Sequence, residues 1–350
     1  MLTIPGTGTS MVVEHDDADP FAAVERFCEQ HRGQTIELFL GYPMAAHLTG
    51  SRRPQPAPPC PLPLAAGRVR DRGLPAPPPG GFTVGAWQRT WSAEAHAAAV
   101  GEVRRAIARG DVYQVNLVAH WRAPFRGDPR AVGAALAPLD AAWSAAMHEP
   151  GWSIVSATPE LFLRTRGDRV ETMPIKGTRP ADAADRIADS PKDRAEHVMI
   201  VDLERNDLGR VCRPGSVRVS AFLEERPMAG VRHMVSTVEG RLRRDVGLAE
   251  LLRATFPGGS ITGAPKIAAI DQIARLEPVG RGAAMGALGV VRPNGDLELG
   301  LTIRTLAIAD GFIHLWVGGG IVWDSDPLAE VEESLVKARP LASLLGSAIG

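Results

Sequence analysis

Glu160-Leu161-Phe162-Leu163-Arg164-Thr165-Arg166-Gly167-Asp168-Arg169-Val170-Glu171-Thr172-Met173-Pro174-Ile175-Lys176 is the stretch that decides the fold. Two strand-like runs flank Gly167-Asp168, which marks a hairpin turn. A three-residue loop, Gly167-Asp168-Arg169, sets Arg166 opposite Val170 and, carried along the strands, Glu160 opposite Lys176. In that register Leu161, Leu163, Met173 and Ile175 share the core face, while Glu160, Phe162 and Lys176 share the other. Directly opposed residues lie roughly 4.5–5.5 Å apart at Cβ, so an acid and an amine project together. Periodicity alone reads most simply as an ion pair on a solvated face. A catalytic pair is the sharper alternative, and a loop one residue shorter breaks the register.

Outward from the hairpin, residues 92–109 read as a helix with Val100, Val103 and Ile107 on one face and Gly110 as its stop. Residues 111–121, 152–157 and 161–165 read as strands. Ser190-Pro191-Lys192-Asp193 opens a helix by its Ser cap, first-position Pro and acidic closure. Asp326-Pro327 opens the last helix, with Leu328, Val331, Leu335 and Ala338 as the expected buried stripe. Strands and helices are mixed without regular βαβ alternation, which predicts an α+β fold with large antiparallel sheets. Residues 53–81 hold two proline clusters, Pro54 to Pro63 and Pro75 to Pro79, and read as a surface loop or linker. The expected division is an N-terminal segment, 1–81, that packs on a catalytic domain, 82–350.

Composition narrows the function. The chain has 350 residues, 45% of them hydrophobic, and a formal net charge of -1, so no basic stripe points to nucleic acid. No apolar run approaches the ~18 residues of a membrane span, and residues 1–11 lack the pattern of a signal peptide. Cys28, Cys60 and Cys212 are odd in number and scattered, which fits a reducing cytoplasm.

Other groups could carry chemistry. Glu330, Glu333 and Lys337 share a face of the last helix, and with Glu196 they could offer the carboxylate oxygens that Mg²⁺ prefers. Without further support, acidic residues near a helix start followed by lysine read as a solvated face. Phe256-Pro257-Gly258-Gly259-Ser260-Ile261-Thr262-Gly263-Ala264-Pro265-Lys266 suggests a phosphate loop but fails the Walker pattern. Gly318-Gly319-Gly320 would let backbone amides approach a carboxylate, or form a bulge.

Read together, these segments resemble the chorismate-utilising enzyme family over about residues 90–346. The matching blocks are Tyr113-Gln114-Val115-Asn116, Thr158-Pro159-Glu160, Pro174-Ile175-Lys176-Gly177-Thr178-Arg179, Glu196-His197, Val201-Asp202-Leu203-Glu204-Arg205-Asn206-Asp207-Leu208-Gly209-Arg210, the 258–266 loop, Thr302-Ile303-Arg304, and residues 318–337. The resemblance implies a two-subdomain α/β sandwich with two large antiparallel sheets. It also sorts the members: anthranilate and salicylate synthases carry alanine where this chain has Lys176, whereas aminodeoxychorismate synthases carry a nucleophilic lysine.

By that resemblance Lys176 attacks C2 of chorismate while Glu160 protonates the departing 4-hydroxyl, and ammonia then adds at C4. Glu196 and Glu333, with Glu330 one turn away, match the family's Mg²⁺ ligands. Arg304, Lys337, Gly318 and Gly320 match groups that hold the substrate's carboxylates. Gly177, Thr178, His233 and Ser260 match further pocket positions. Gln114 stands where isochorismate and salicylate synthases carry a water-activating lysine, and an amide cannot act as that base. Ala284 departs from the tyrosine frequent in relatives. No cysteine sits on a glycine-flanked elbow, so a separate glutamine amidotransferase is the expected ammonia source. The alternatives are C2 amination, as in anthranilate synthases, and a chorismate-binding paralogue without catalysis.

Overall fold

Alternation determines which face each strand buries. In the strand Thr305–Ala309, Leu306 and Ile308 enter one apolar cluster while Ala307 and Ala309 enter another. The same split separates Val155 from Ile154, and Leu315 from Trp316. These strands are therefore covered on both faces, and their sheet is an interior layer. The computed structural model describes residues 9–70, 78–180, 185–228 and 231–349. Residues 1–8, and Pro75 and Pro77 of the second proline cluster, lie outside them.

Two antiparallel sheets form the body, as expected. One has ten strands among the described residues. Its order is Ser10–Val13, Ala65–Val69, Ile36–Leu40, Ala287–Val291, Leu297–Leu301, Leu161–Arg166, Arg169–Met173, Val231–Arg241 and Ile175–Pro180, with Arg218–Met228 also on Val231–Arg241. The other has eight, centred on Gln114–Gly127 and Phe312–Ile321. The larger core draws on both sheets: Phe39, Leu163 and Leu299 from the first meet Leu117, Ile154 and Trp316 from the second. A smaller core lies between the eight-stranded sheet and the helix Pro327–Leu344, where Leu315 and Val317 join Ala338 and Leu341. The helix Pro191–Gly209 lies on the strand Val231–Arg241.

Helix starts follow the capping signals. The side chains of Ser92, Ser190 and Asp326 accept backbone N–H groups of Ala95, Asp193, and Leu328 with Ala329. Each such cap is worth about 1 kcal/mol. The helix Ala93–Ala108 ends before Gly110, whose φ of +80° only glycine adopts without strain.

Three expectations are corrected. The hairpin loop has two residues, so Arg166 pairs with Arg169 and Thr165 with Val170. A bulge then brings Leu161 opposite Met173, and Pro174 ends the ladder. Ile175–Pro180 then continues along the same edge of Val231–Arg241, past the start of Leu161–Arg166, so Lys176 pairs with Met234 and not with Glu160. Second, of the expected stripe on the last helix Val331 and Ala338 are buried and Leu335 packs half-buried on the smaller core, but Leu328 is 71% exposed, and Ser334, Leu341 and Ala342 complete the buried face. The stripe runs through small residues because the helix lies close on the glycine-rich strand Phe312–Ile321. Third, Ala65–Val69, inside the stretch read as a linker, is a strand paired with Ile36–Leu40 and Ser10–Val13. The neighbouring proline run is anchored, with Leu62 and Leu64 buried and Ala57 O accepting the Gly280 N–H.

Candidate active site

Lys176 and Glu160 meet although their strands do not pair. Glu160 is buried at the start of Leu161–Arg166, and the Ile175 N–H reaches its Oε1 at 3.4 Å. Ser260, from the turn Gly259–Ile261, touches both groups. Its Oγ donates to Glu160 Oε1 at 2.5 Å, and its carbonyl accepts from Lys176 Nζ at 3.3 Å. Burial pushes the Glu160 carboxyl up to about 7, against smaller opposing pulls from the Ser260 hydroxyl and the Lys176 charge. Desolvation lowers the Lys176 amine, with Glu196 and Glu160 opposing the shift and Lys337 reinforcing it. An acid that keeps its proton near neutrality thus stands beside an amine that gives its proton up more readily than an exposed lysine.

The glycines clear this space. A Cβ on Gly320 would strike the Gln114 amide and lie 3.5 Å from Lys176 Nζ. A Cβ on Gly319 would lie 3.3 Å from both Glu330 Oε2 and Glu333 Oε1. Lys337 Nζ is 2.5 Å from Glu333 Oε1 and donates to Gly318 O at 3.1 Å. Glu330 is buried and accepts the Ser325 hydroxyl at 2.6 Å. Among the described residues no three acidic, histidine or cysteine side chains form a ready-made metal cage. Glu330 and Glu333 converge over Gly319, and Glu196 acts on Lys176 from the helix Pro191–Gly209.

On the other side, Gly177 has a φ of +67°, and a Cβ there would strike Ile187. Its carbonyl lies 3.3 Å from His233 Nδ1. Thr178 pairs through its backbone with His233, and its side chain lies outside the described residues. Burial lowers His233, and the nearby Arg304 charge lowers it further. Arg304 is itself desolvated and sits at a φ of +49°, backbone strain of the kind that gathers at functional positions.

Several supporting groups were not anticipated. His197 Nε2 lies 2.7 Å from Ser236 Oγ and is pushed down to about 4 by burial, with the Lys176 charge adding to it. Lys266, the lysine of the apparent phosphate loop, pairs with Asp207 at 2.6 Å and Thr255 O at 2.7 Å. Glu204 beside them accepts the Gly259 N–H at 2.8 Å. Fully buried Arg281 holds Glu277, Ile261 O and Asn116 O, tying the Ser260 turn to the strand Gln114–Gly127. Glu204, Asp207 and Lys266 lie in blocks singled out in the sequence, but buried partners far apart in sequence leave no periodic signal that they meet.

Fold and site define an α+β protein whose pocket couples a carboxylic acid to an amine beside a glycine floor lined with carboxylates. The profile of the chorismate binding enzyme family matches residues 20–343, and the chain belongs to that family. It is 41% identical over 282 residues to aminodeoxychorismate synthase component 1 of Klebsiella aerogenes, covering 78% of this chain and 62% of that one. It is 44% identical over 266 residues to anthranilate synthase component 1 1 of Haloarcula marismortui, covering 73% and 54%. The chain therefore spans less than two thirds of the length of either relative. The crystal structure of anthranilate synthase component I from Streptococcus pneumoniae TIGR4 superposes with a TM-score of 0.82 at 24% identity, over 95% of this chain and 89% of that one. That likeness concerns the fold.

Proposed function

We propose that this chain aminates chorismate at C4, as the synthase component of an aminodeoxychorismate synthase. The observation that carries the reading is Lys176, an amine of lowered pKa held by Ser260 beside the acid Glu160. The Nζ lone pair forms a bond to C2, the ring double bonds shift, and the C4–O bond breaks. The hydroxyl leaves as water with the proton of Glu160. Ammonia then forms the C4–N bond, the double bonds shift back, and the C2–Nζ pair returns to Lys176. Glu160 takes the surplus proton from the new ammonium, which restores both groups. The overall change is chorismate plus ammonia to 4-amino-4-deoxychorismate plus water.

Mg²⁺ fits the acidic side of the pocket, since the space a Gly319 Cβ would fill is bounded by two carboxylate oxygens. Glu196 and Glu333, with Glu330, would hold it, and it would neutralise a substrate carboxylate. Arg304 and Lys337 supply positive charge for the rest of the dianion.

Ammonia would come from a separate glutamine amidotransferase. Burial pushes Cys28 and Cys60 up to about 12 and Cys212 to about 11, so these thiols are poor nucleophiles. The name "component 1" carried by the relatives agrees with a second subunit. The second reading is anthranilate synthesis, favoured by the 44% identity to the Haloarcula protein. Lys176 weighs against it, because C2 amination has no use for an amine already bonded to that carbon. Mass analysis after incubation with chorismate, ammonium and Mg²⁺ tests the choice. The 4-amino compound is expected; anthranilate with pyruvate sinks the proposal.

A further inference from the structure

An acid and an amine that must act separately carry a shared hazard. In direct contact, a glutamic acid and a lysine exchange a proton and become an ion pair, which disarms both. In this pocket they are bridged by one residue. Ser260 Oγ donates to Glu160 Oε1 at 2.5 Å, while the carbonyl of the same residue accepts from Lys176 Nζ at 3.3 Å. The hydroxyl occupies one carboxyl oxygen, which leaves the other to carry the transferable proton. The carbonyl takes an N–H of the amine and thereby fixes where its lone pair points.

The Ser260 turn is held by a group that no pocket role explains. Glu204, buried on the helix Pro191–Gly209, accepts the Gly259 N–H at 2.8 Å. A Cβ on Gly259 would lie 2.7 Å from Leu203 and 3.0 Å from Glu204 Oε1, so glycine is what lets the turn approach this carboxylate. Arg281 holds the far end through Ile261 O at 2.8 Å. Glu160 is thus faced by Ser260 from the turn and Lys176 from its strand, with Glu204 behind the turn.

We propose that Ser260 is a positioning residue that keeps Glu160 and Lys176 from pairing directly, and that Glu204 anchors it through Gly259. The inference rests on the C4-amination reading, which alone needs Lys176 as a free amine beside the acid Glu160.

The test is steady-state chorismate consumption with ammonium and Mg²⁺, followed against pH for Ser260→Ala, Ser260→Thr, Glu204→Met and Glu204→Gln. Misplacing a reacting group by about 1 Å costs on the order of 10²-fold, and a loss of that size in kcat is expected for Ser260→Ala with chorismate KM little changed. The Ser260 hydroxyl lowers Glu160, so removing it moves the limb of the profile that reports Glu160 to higher pH. Ser260→Thr, which keeps the hydroxyl, restores limb and rate. Glu204→Met loses kcat in the same manner, and Glu204→Gln, which keeps an acceptor for Gly259, recovers most of it. Ser260→Cys, similar in volume and a weak donor, stands in should the alanine variant not fold, with the same shift expected. A raised chorismate KM with kcat and limb unchanged makes Ser260 a substrate contact and overturns the proposal. Wild-type kinetics in Glu204→Met overturns the anchor. Product identity in the wild-type reaction judges the amination reading separately, because limb and kcat are read whichever product forms.

Discussion

The Arg281 guanidinium and the Glu277 carboxylate, both fully buried, meet at 2.7 Å and join the two halves of the pocket wall. The guanidinium also reaches Asn116 O and Ile261 O, while Glu277 accepts the Val118 N–H. Removing one partner strands the other's charge. Arg281→Met should cost about 3–5 kcal/mol in urea unfolding. The double variant Arg281→Met/Glu277→Leu should recover part of that loss; equal destabilisation of single and double variants would contradict the account.

Lys176→Ala should abolish 4-amination and leave Mg²⁺-dependent chorismate binding measurable by calorimetry. The substitution removes the amine proposed to bond to C2, but none of the groups proposed to hold the carboxylates. Wild-type turnover in this variant would rule out an obligatory lysine nucleophile.

The pH profile has a defined sign. Glu160 is raised to about 7, so its acid form is present below that pH and lost above it. Lys176 is lowered, so its neutral amine appears at a lower pH than for an exposed lysine. kcat/KM should therefore be bell-shaped, with both limbs belonging to the coupled pair and the alkaline fall reflecting loss of the Glu160 proton. Glu160→Gln should lose that limb and on the order of 10²–10⁴-fold in rate. An unchanged alkaline limb in Glu160→Gln would assign it to another group.

Gly320→Ala and Gly319→Ala should fail differently. The first drives a methyl into the Gln114 amide and toward Lys176 Nζ, so kcat should collapse at any Mg²⁺ concentration. The second crowds Glu330 and Glu333 at 3.3 Å, so it should raise the Mg²⁺ concentration needed for half-maximal activity. A Mg²⁺ titration of both variants separates the two effects, and identical curves would contradict the division of the floor.

Much of this was legible before any coordinates. Caps at Ser92, Ser190 and Asp326 placed three helices, because capping depends on residues within one turn. The Glu160–Lys176 meeting was anticipated through a register the hairpin does not adopt. Pro174, read only as part of a block, falls where the pairing with Leu161–Arg166 ends, and Ser260 makes the connection from 84 residues away from Lys176. Leu328 misled because apolar spacing alone does not show which turn meets a neighbour. The Glu204, Asp207 and Lys266 cluster was invisible because its members meet only through tertiary packing.

The order of strands carries a consequence for how the protein comes into being. Leu161–Arg166 lies beside Leu297–Leu301, and Gln114–Gly127 beside Phe312–Ile321, so neither sheet can close around the pocket until the last quarter of the chain is available. Such non-local pairing folds slowly. A nascent chain therefore carries Lys176 as an ordinary solvated lysine, and the burial that lowers its amine arises only once synthesis has passed the final helix.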